Sequence, residues 1–129
     1  MQNSVDTSPE IEIRIQTQYL KKDSLPQEAR FVFSYTITIT NHGQLPVQLI
    51  NRHWHICDAN EKTQEVHGKG VIGQQPYLKA GQSFEYTSGA VLETPVGTME
   101  GSYEFITDNG ELFMAPIPAF TLADPATLH

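Results

Sequence analysis

The sequence predicts an all-β fold, built as an antiparallel two-sheet β-sandwich. Apolar and polar residues alternate with a period of two over about eight short segments, which is typical of strands with one buried face. Turn signals rich in glycine, proline and asparagine separate these segments. No stretch of ten residues shows the spacing of an amphipathic helix. Together these observations favour a sandwich over any fold that contains helices.

The first half of the chain has the clearest strand signals. Residues 11–19 alternate between apolar and polar side chains, and residues 31–40 alternate aromatic or β-branched residues with polar ones. A third strand begins at Val47, and its parity changes along its length. Val47 and Leu49 would lie on one face and Trp54 on the other, so we expect a bulge near Asn51 that brings both apolar sets into one core.

The second half predicts shorter strands and one long hairpin. We expect strands at residues 64–66, 77–78 and 83–87, an irregular segment at residues 92–97, and a long strand at residues 98–107. Asn109 and Gly110 then turn the chain into a last strand. Pro116 and Pro118 within that strand indicate a sheet edge, because proline cannot donate to a ladder. The core should also include these residues: Trp54, Met99, Tyr103, Phe105 and Met114.

The length of 129 residues predicts one domain. We expect a flexible N-terminal arm at residues 1–9, the sandwich at residues 10–123 and a C-terminal tail at residues 124–129. The single cysteine, Cys57, suits a reducing compartment and excludes the Cys-Trp-Cys pattern of antibody domains. Among sandwiches of the immunoglobulin and fibronectin type III class, the fibronectin kind is therefore the closer analogy.

The charge and the hydropathy of the sequence limit the kinds of partner that this protein can bind. The net charge is -7, and the last 50 residues contain seven acidic residues but no lysine or arginine. This distribution argues against binding to nucleic acid, which depends on basic patches. No apolar run approaches the ~20 residues of a membrane helix, and the N-terminus does not resemble a signal peptide. We therefore expect a cytoplasmic protein without membrane insertion.

Three glycines, Gly68, Gly70 and Gly73, stand in Gly-x-Gly-x-x-Gly spacing. A dinucleotide fingerprint would need a helix after these glycines, but Pro76 follows and helical periodicity does not. The Gly-Lys-Ser/Thr triplet of a phosphate loop is also absent. Two alternatives remain: a loop that only links two strands, or an anion-binding nest of backbone amides. In a nest, the positive charge would come from two residues: Lys69 and Arg52.

The sequence resembles the ApaG family of bacterial proteins in motifs spread between about residues 11 and 123. The matching segments are Arg52-His53-Trp54-x-Ile56-x-Asp58; Val66-x-Gly68-x-Gly70-Val71-Ile72-Gly73-x-Gln75-Pro76; Leu78-x-x-Gly81-x-x-Phe84-x-Tyr86-x-Ser88-Gly89; Gly97-x-Met99-x-Gly101-x-Tyr103; and Ile117-Pro118-x-Phe120.

This resemblance implies a fibronectin type III-like sandwich and an association with cobalt tolerance and magnesium efflux. It also implies that the domain occurs fused in eukaryotic adaptor proteins, which favours binding over catalysis. Pyrophosphate binding has been proposed at the glycine loop of the family, and that position corresponds here to Gly68, Gly70 and Gly73. The resemblance supplies no catalytic residues and no cofactor.

Histidine and cysteine alternate along the third strand. His53, His55 and Cys57 could all point to one face, and His67 could supply a fourth ligand. Imidazole and thiolate ligands suit zinc, cobalt or nickel. The alternative is that this face turns inward, where Cys57 would be a small buried apolar residue.

The sequence therefore predicts a non-enzymatic interaction module with a protein partner. Ser88, Asp58 and Glu65 are available for catalysis, but they form no recognisable arrangement of nucleophile and base. Two alternatives stay open: binding of a pyrophosphate or dinucleotide at residues 68–73, and direct binding of a divalent cation.

Overall fold

The structure, a computed structural model, describes residues 9–127. The predicted N-terminal arm lies outside the described residues except for Pro9, as do the last two residues of the predicted tail. The described strands are β1 Ile11–Tyr19, β2 Phe31–Asn41, β3 Val47–Asp58, β4 Thr63–Lys69, β5 Tyr77–Leu78, β6 Ser83–Leu92, β7 Val96–Thr107 and β8 Leu112–Ala123. Short 3₁₀ turns occur at Lys21–Asp23, Pro26–Glu28 and Pro125–Thr127. Residues 9–127 contain no helix long and apolar enough to cross a membrane.

The strands form two antiparallel sheets. The smaller sheet has the order β1-β2-β6, and the larger sheet has the order β4-β3-β7-β8. The short strand β5 pairs with the first two residues of β3. The predicted all-β, two-sheet antiparallel sandwich is confirmed. The predicted edge position of the last strand is also confirmed, because β8 ends the larger sheet and contains both Pro116 and Pro118.

The core lies between the sheets and is filled by alternate residues of the central strands. The fully buried side chains of β2 include Phe33, Ile37 and Ile39, and those of β7 include Tyr103 and Phe105. Complete burial of such a side chain contributes about 1.5–3 kcal/mol. The outward residues of β2 are three threonines, a serine and Val32, so the alternation seen in the sequence separates core from surface.

A bulge in β3 determines which side chains face outward on the larger sheet. The pairing of β3 with β7 shifts register between Leu49 and Asn51, which confirms the predicted bulge. Because one extra residue is inserted, Trp54 follows Leu49 into the core and is 2% exposed. His53, His55 and Cys57 consequently occupy the outer face, so the expectation that this face could turn inward is not met.

Three boundaries differ from the prediction. The short strand expected at residues 64–66 is β4, Thr63–Lys69, so Gly68 belongs to a strand and not to a loop. The strand expected at residues 83–87 continues to Leu92 as β6, and the segment expected to be irregular contributes Val96 and Gly97 to β7. In each case the extra residues pair with a neighbouring strand, and that long-range pairing is invisible in a local pattern.

The prediction that Met114 is a core residue is wrong. Its side chain is 56% exposed, whereas Met99 is 1% exposed as predicted. Met114 pairs with the outward Glu104, while its neighbour Ala115 pairs with the buried Tyr103. Because several successive residues at the start of β8 are apolar, the sequence does not distinguish the two faces there, and the register with β7 decides them.

Candidate functional site

Side chains from three strands form rows on the outer face of the larger sheet. In one row His67 of β4 lies opposite His53 of β3, which lies opposite Ser102 of β7. In the next row Glu65 lies opposite His55. Directly opposed residues in an antiparallel pair have Cβ atoms about 4.5–5.5 Å apart, so each row brings its side chains into contact.

Two histidines and one glutamate converge on this face, and we call them the His-Glu-His cluster: His53, Glu65 and His67. The two imidazole rings are stacked, with centroids 4.2 Å apart and planes 10° apart. Glu65 Oε2 lies 3.6 Å from His67 Nε2 and 3.8 Å from His53 Nε2. One potential ligand atom from each residue lies within 4.8 Å of the other two.

His53 differs from the other two residues of the cluster in the environment of its Nε2 atom. This atom is buried and has no hydrogen-bond partner among the described residues, although 35% of the His53 side chain is exposed. An unpaired buried polar atom costs about 1–3 kcal/mol, so such an atom in a folded protein calls for an explanation. Glu65 and His67 are 61% and 69% exposed, which leaves the cluster open to solvent.

The structure separates His55 and Cys57 from His53 and His67. His55 Nδ1 lies 4.0 Å from Glu100 Oε1, and the Cys57 thiol donates to the carbonyl oxygen of Asp58 at 3.5 Å. Successive residues on one face of a strand are about 6.6 Å apart, whereas directly opposed residues on paired strands are closer. The predicted metal residues His53 and His67 therefore come together through strand pairing, with Glu65 in place of the other two.

Glu65 is the cluster residue that sequence reasoning missed as a ligand. A signal for it exists, because Glu65 and His67 alternate on β4 as His53 and His55 alternate on β3. Pairing those two segments would have placed all four side chains on one face. The register of that pairing is the information that the sequence lacks.

Arg52 lies across Gly68 and donates to the glycine segment. Its Nη1 contacts the carbonyl oxygen of Gly70 at 2.9 Å and that of Lys69 at 3.2 Å. A Cβ at position 68 would lie 2.6 Å from the Arg52 guanidinium, so a larger residue there would require the Arg52 side chain to move. The guanidinium of Arg52 is thus directed at backbone carbonyl groups of the segment.

The remaining glycines build a tight turn. Val71 and Gln74 exchange two backbone hydrogen bonds of 2.8 Å, and the residues between them, Ile72 and Gly73, have φ angles of 41° and 79°. Positive φ at both central positions is the signature of a type I′ turn. Gly70 has a φ of 64°, and a Cβ there would lie 2.2 Å from the carbonyl oxygen of Gln74.

These contacts bear on the predicted anion nest of Gly68, Lys69, Gly70 and Gly73. The amide of Gly70 donates to the carbonyl oxygen of Ile50 at 2.7 Å, and those of Val71 and Gln74 donate within the turn. Such amides are already paired, which favours the alternative that the glycines shape a link between strands. The anion site stays a prediction.

A cleft of about 510 Å³ adjoins the His-Glu-His cluster on the same face. Asn51 Nδ2 donates to Glu104 Oε1 at 2.8 Å within it. Beyond the cleft, alternate residues of β8 form an outward apolar row that we call the β8 stripe: Leu112, Met114, Pro116 and Pro118. Leu112 is 58% exposed and Met114 is 56% exposed. The residues that line the cleft include Asn51, His53, His67, Ser102, Glu104 and Met114.

Behind this face, a pair of tyrosines joins the two sheets. The hydroxyl groups of Tyr86 on β6 and Tyr103 on β7 are hydrogen-bonded to each other, and both side chains are buried. Burial raises the pKa of each hydroxyl well above its ordinary value, because the charged phenolate would be removed from water. Both groups therefore stay neutral and structural at ordinary pH.

The comparisons with known proteins agree with the fold and with the motifs. A family model described as the ApaG domain matches residues 21–107. Protein ApaG of Thiobacillus denitrificans is 54% identical over 120 residues, which are 93% of this chain and 94% of the relative. Protein ApaG of Aromatoleum aromaticum is 55% identical over 119 residues, which are 92% of this chain and 94% of the relative.

A solved structure gives the same result at the level of the fold. The crystal structure of a Bordetella pertussis protein described as ApaA superimposes with a TM-score of 0.90 and is 46% identical in sequence. The match covers 95% of this chain and 98% of that one. The predicted resemblance is thereby confirmed, and the chain belongs to the ApaG family.

Proposed function

We propose that this chain is a non-catalytic binding module that recognises a protein partner through the outer face of the larger sheet. The observation that supports this proposal is the β8 stripe, in which Leu112 and Met114 are each more than half exposed. An exposed apolar patch beside a polar cleft is typical of a protein-binding surface. The stripe would supply the apolar centre of the contact, and Asn51 and Glu104 in the cleft would supply its polar rim.

The side chains around the cleft support binding over catalysis. Nucleophilic catalysis needs a hydroxyl or thiol group within hydrogen-bond reach of a base. Ser102 lines the cleft in the same row as His53, but within residues 9–127 no serine, threonine or cysteine side chain is hydrogen-bonded to a histidine. The hydroxyl of Ser102 is therefore assigned to the polar rim of the surface.

Family membership agrees with this assignment. The ApaG resemblance implies an association with cobalt tolerance and magnesium efflux and the use of the domain in adaptor proteins. Under the proposal, the module influences cation levels through the protein to which it binds. We place it in the cytoplasm, where its free cysteine, Cys57, would stay reduced.

Photocrosslinking in cells tests the proposal. A photoreactive amino acid replaces Met114 in the full chain, and a matched control places it at Val91, which is 43% exposed on the smaller sheet. We expect one dominant adduct with another protein when the photoreactive group is at position 114, and no such adduct when it is at position 91. Adding Leu112→Glu to the chain that carries the group at position 114 should abolish the adduct. Equal adducts from both positions, or adducts only with a second copy of this chain, would contradict the proposal.

A further inference from the structure

The His-Glu-His cluster has the composition and spacing of a metal site. We propose that His53, Glu65 and His67 bind one divalent transition-metal ion, such as Zn²⁺, Co²⁺ or Ni²⁺, with an open coordination position facing the neighbouring cleft. This inference goes beyond the proposed function, because it needs no protein partner. It also departs from the ligand set predicted from sequence by including Glu65 and leaving out His55 and Cys57.

The distances within the cluster are close to those expected around a shared metal ion. Two ligands of a tetrahedral metal lie about 3.3 Å apart when each metal–ligand bond is about 2.0–2.1 Å. Glu65 Oε2 lies 3.6 Å and 3.8 Å from the two imidazole nitrogens, too far for a hydrogen bond and slightly too far for a shared metal. A side-chain movement of a few tenths of an ångström would close these two gaps, and a tilt of the stacked rings would let their nitrogen atoms converge.

The unpaired nitrogen of His53 is a second and independent observation. Its Nε2 is buried without a hydrogen-bond partner among the described residues. In its neutral form an imidazole nitrogen offers a lone pair, which a bound cation would occupy. The same atom lies 3.8 Å from the carboxylate of Glu65, which would offset part of the charge of the ion.

The strand framework holds the ligands before the ion arrives. His53 and His67 are opposed residues of paired strands, and Glu65 precedes His67 by two residues on the same face. All three positions lie within regular ladder pairing and not in a loop, so little ordering is needed on binding. Because β4 is an edge strand, the cluster is reached directly from solvent.

The donor set selects the class of ion. Two nitrogen ligands and one oxygen ligand suit zinc and the neighbouring transition metals, whereas magnesium prefers an all-oxygen octahedron. Three protein ligands leave at least one position for water or for a donor from a bound molecule. That position faces the cleft, since His53 and His67 line it.

Residues on the same face provide matched controls. His55 and Cys57 follow His53 at intervals of two along β3, which places them about 6.6 Å and about 13 Å away. Both side chains are partly exposed, as His53 is. If the site is as proposed, their removal should leave metal binding unchanged.

The experiment uses the full chain without an affinity tag, titrated with Co²⁺ by visible absorption and with Zn²⁺ by calorimetry. We expect one ion per chain, a Co²⁺ spectrum typical of low coordination number, and no heat with Mg²⁺. Zn²⁺ binding should be weakened separately by His53→Ala, His67→Ala and Glu65→Gln. Each loss should be at least roughly 10–100-fold, which is the typical cost of removing a residue that only orients a metal ligand. His55→Ala and Cys57→Ser should bind as the unchanged chain does.

The controls make the outcome decisive. Glu65→Gln keeps the size of the side chain, and thermal melting without metal verifies that each variant is folded. The proposal is overturned if the unchanged chain does not bind Zn²⁺, if His53→Ala and His67→Ala bind normally, or if His55→Ala weakens binding as much as they do. Because the purified chain is used alone, these results are independent of whether crosslinking finds a protein partner.

Discussion

The outer faces of the two sheets arise from the same alternation of residues but differ in how their polar groups are paired. On the smaller sheet hydroxyl groups pair across strands, as Thr36 does with Thr87 at 2.8 Å. On the larger sheet the buried Nε2 of His53 has no hydrogen-bond partner within residues 9–127, and the Glu65 carboxylate stands 3.8 Å away. A surface whose polar groups satisfy one another offers little to a ligand, whereas unpaired groups gain from one. The difference therefore supports the proposal that function resides on the larger sheet.

The backbones beneath the two faces also differ in how closely they approach. Gly101 on the larger sheet lies so near β3 that an added Cβ would meet the His53 carbonyl oxygen at 2.0 Å. Gly89 on the smaller sheet has room, with the nearest atom at 3.4 Å. Gly101 adjoins the second register shift of the larger sheet, between Met99 and Gly101, which the sequence did not predict.

The largest effect is expected from Gly101→Ala. The new methyl group would collide with backbone atoms of His53, which cannot move without disturbing the ladder, so we expect a loss of about 3 kcal/mol or more in the free energy of unfolding. Gly89→Ala is the matched control and should change that free energy by no more than about 1 kcal/mol. Urea denaturation measures both, and equal effects of the two variants would contradict the close approach.

A smaller effect is expected from Tyr86→Phe, which removes one side of the hydrogen bond between the sheets. The Tyr103 hydroxyl would be left buried without its partner, so we expect a loss of about 1–3 kcal/mol in the free energy of unfolding. The double change to phenylalanine at both positions should cost less than the sum of the single changes. Strict additivity in urea denaturation would show that the two hydroxyl groups do not interact.

The same tyrosines predict loss of stability in alkali. Burial raises the pKa of both hydroxyls in the folded chain, so the unfolded chain loses these protons first as the pH rises. Their contribution is fully present below about pH 10, the unfolded value, and declines above it. Thermal melting between pH 8 and pH 11 should show this decline, and the double phenylalanine variant should show less of it.

The β8 stripe predicts an effect on binding without an effect on folding. Because Met114 is 56% exposed, Met114→Glu should change the free energy of unfolding by no more than about 0.5 kcal/mol. The same change, combined with a photoreactive group at Leu112, should abolish the adduct with the partner. A strongly destabilised variant would show that the stripe is part of the core, contrary to the structure.

The smallest effect is expected when pyrophosphate is added to the protein and the amide resonances of the glycine segment are followed by NMR. The Gly70 amide donates to the Ile50 carbonyl oxygen, and Arg52 donates to the carbonyl groups of Lys69 and Gly70. We therefore expect the amide resonances of the glycine segment to stay in place when pyrophosphate is added at low salt. Saturable shifts at Gly68, Gly70 and Gly73 would reverse this expectation and establish the anion site predicted from sequence.

Much of the fold could be read from the sequence, because alternation is a local property. The strand from residue 31, the bulge near Asn51 and the edge position of Pro116 all follow from short segments. The outward position of Met114 could not be read, since it depends on which residue of β7 lies opposite. Local patterns define the strands, whereas register decides the face of a uniformly apolar segment.

The candidate site shows the same limit. His53 and His67 were recognised as potential ligands from their residue type, but Glu65 entered the cluster only through the pairing of β3 with β4. His55 and Cys57 were grouped with them because they alternate along one strand, although contacts across strands are shorter than contacts along one. The sequence offers Arg52 as a candidate counter-charge for an anion, but it does not reveal that the guanidinium donates to the carbonyl groups of Lys69 and Gly70.

The most direct test of a functional face on the larger sheet is an NMR titration of the labelled full chain with Zn²⁺. We expect saturable shifts of the imidazole signals of His53 and His67 and of nearby amides, with no change at Thr36 and Thr87 on the smaller sheet. Shifts spread over both sheets, or no shifts at either histidine, would contradict a metal-binding function of the larger sheet.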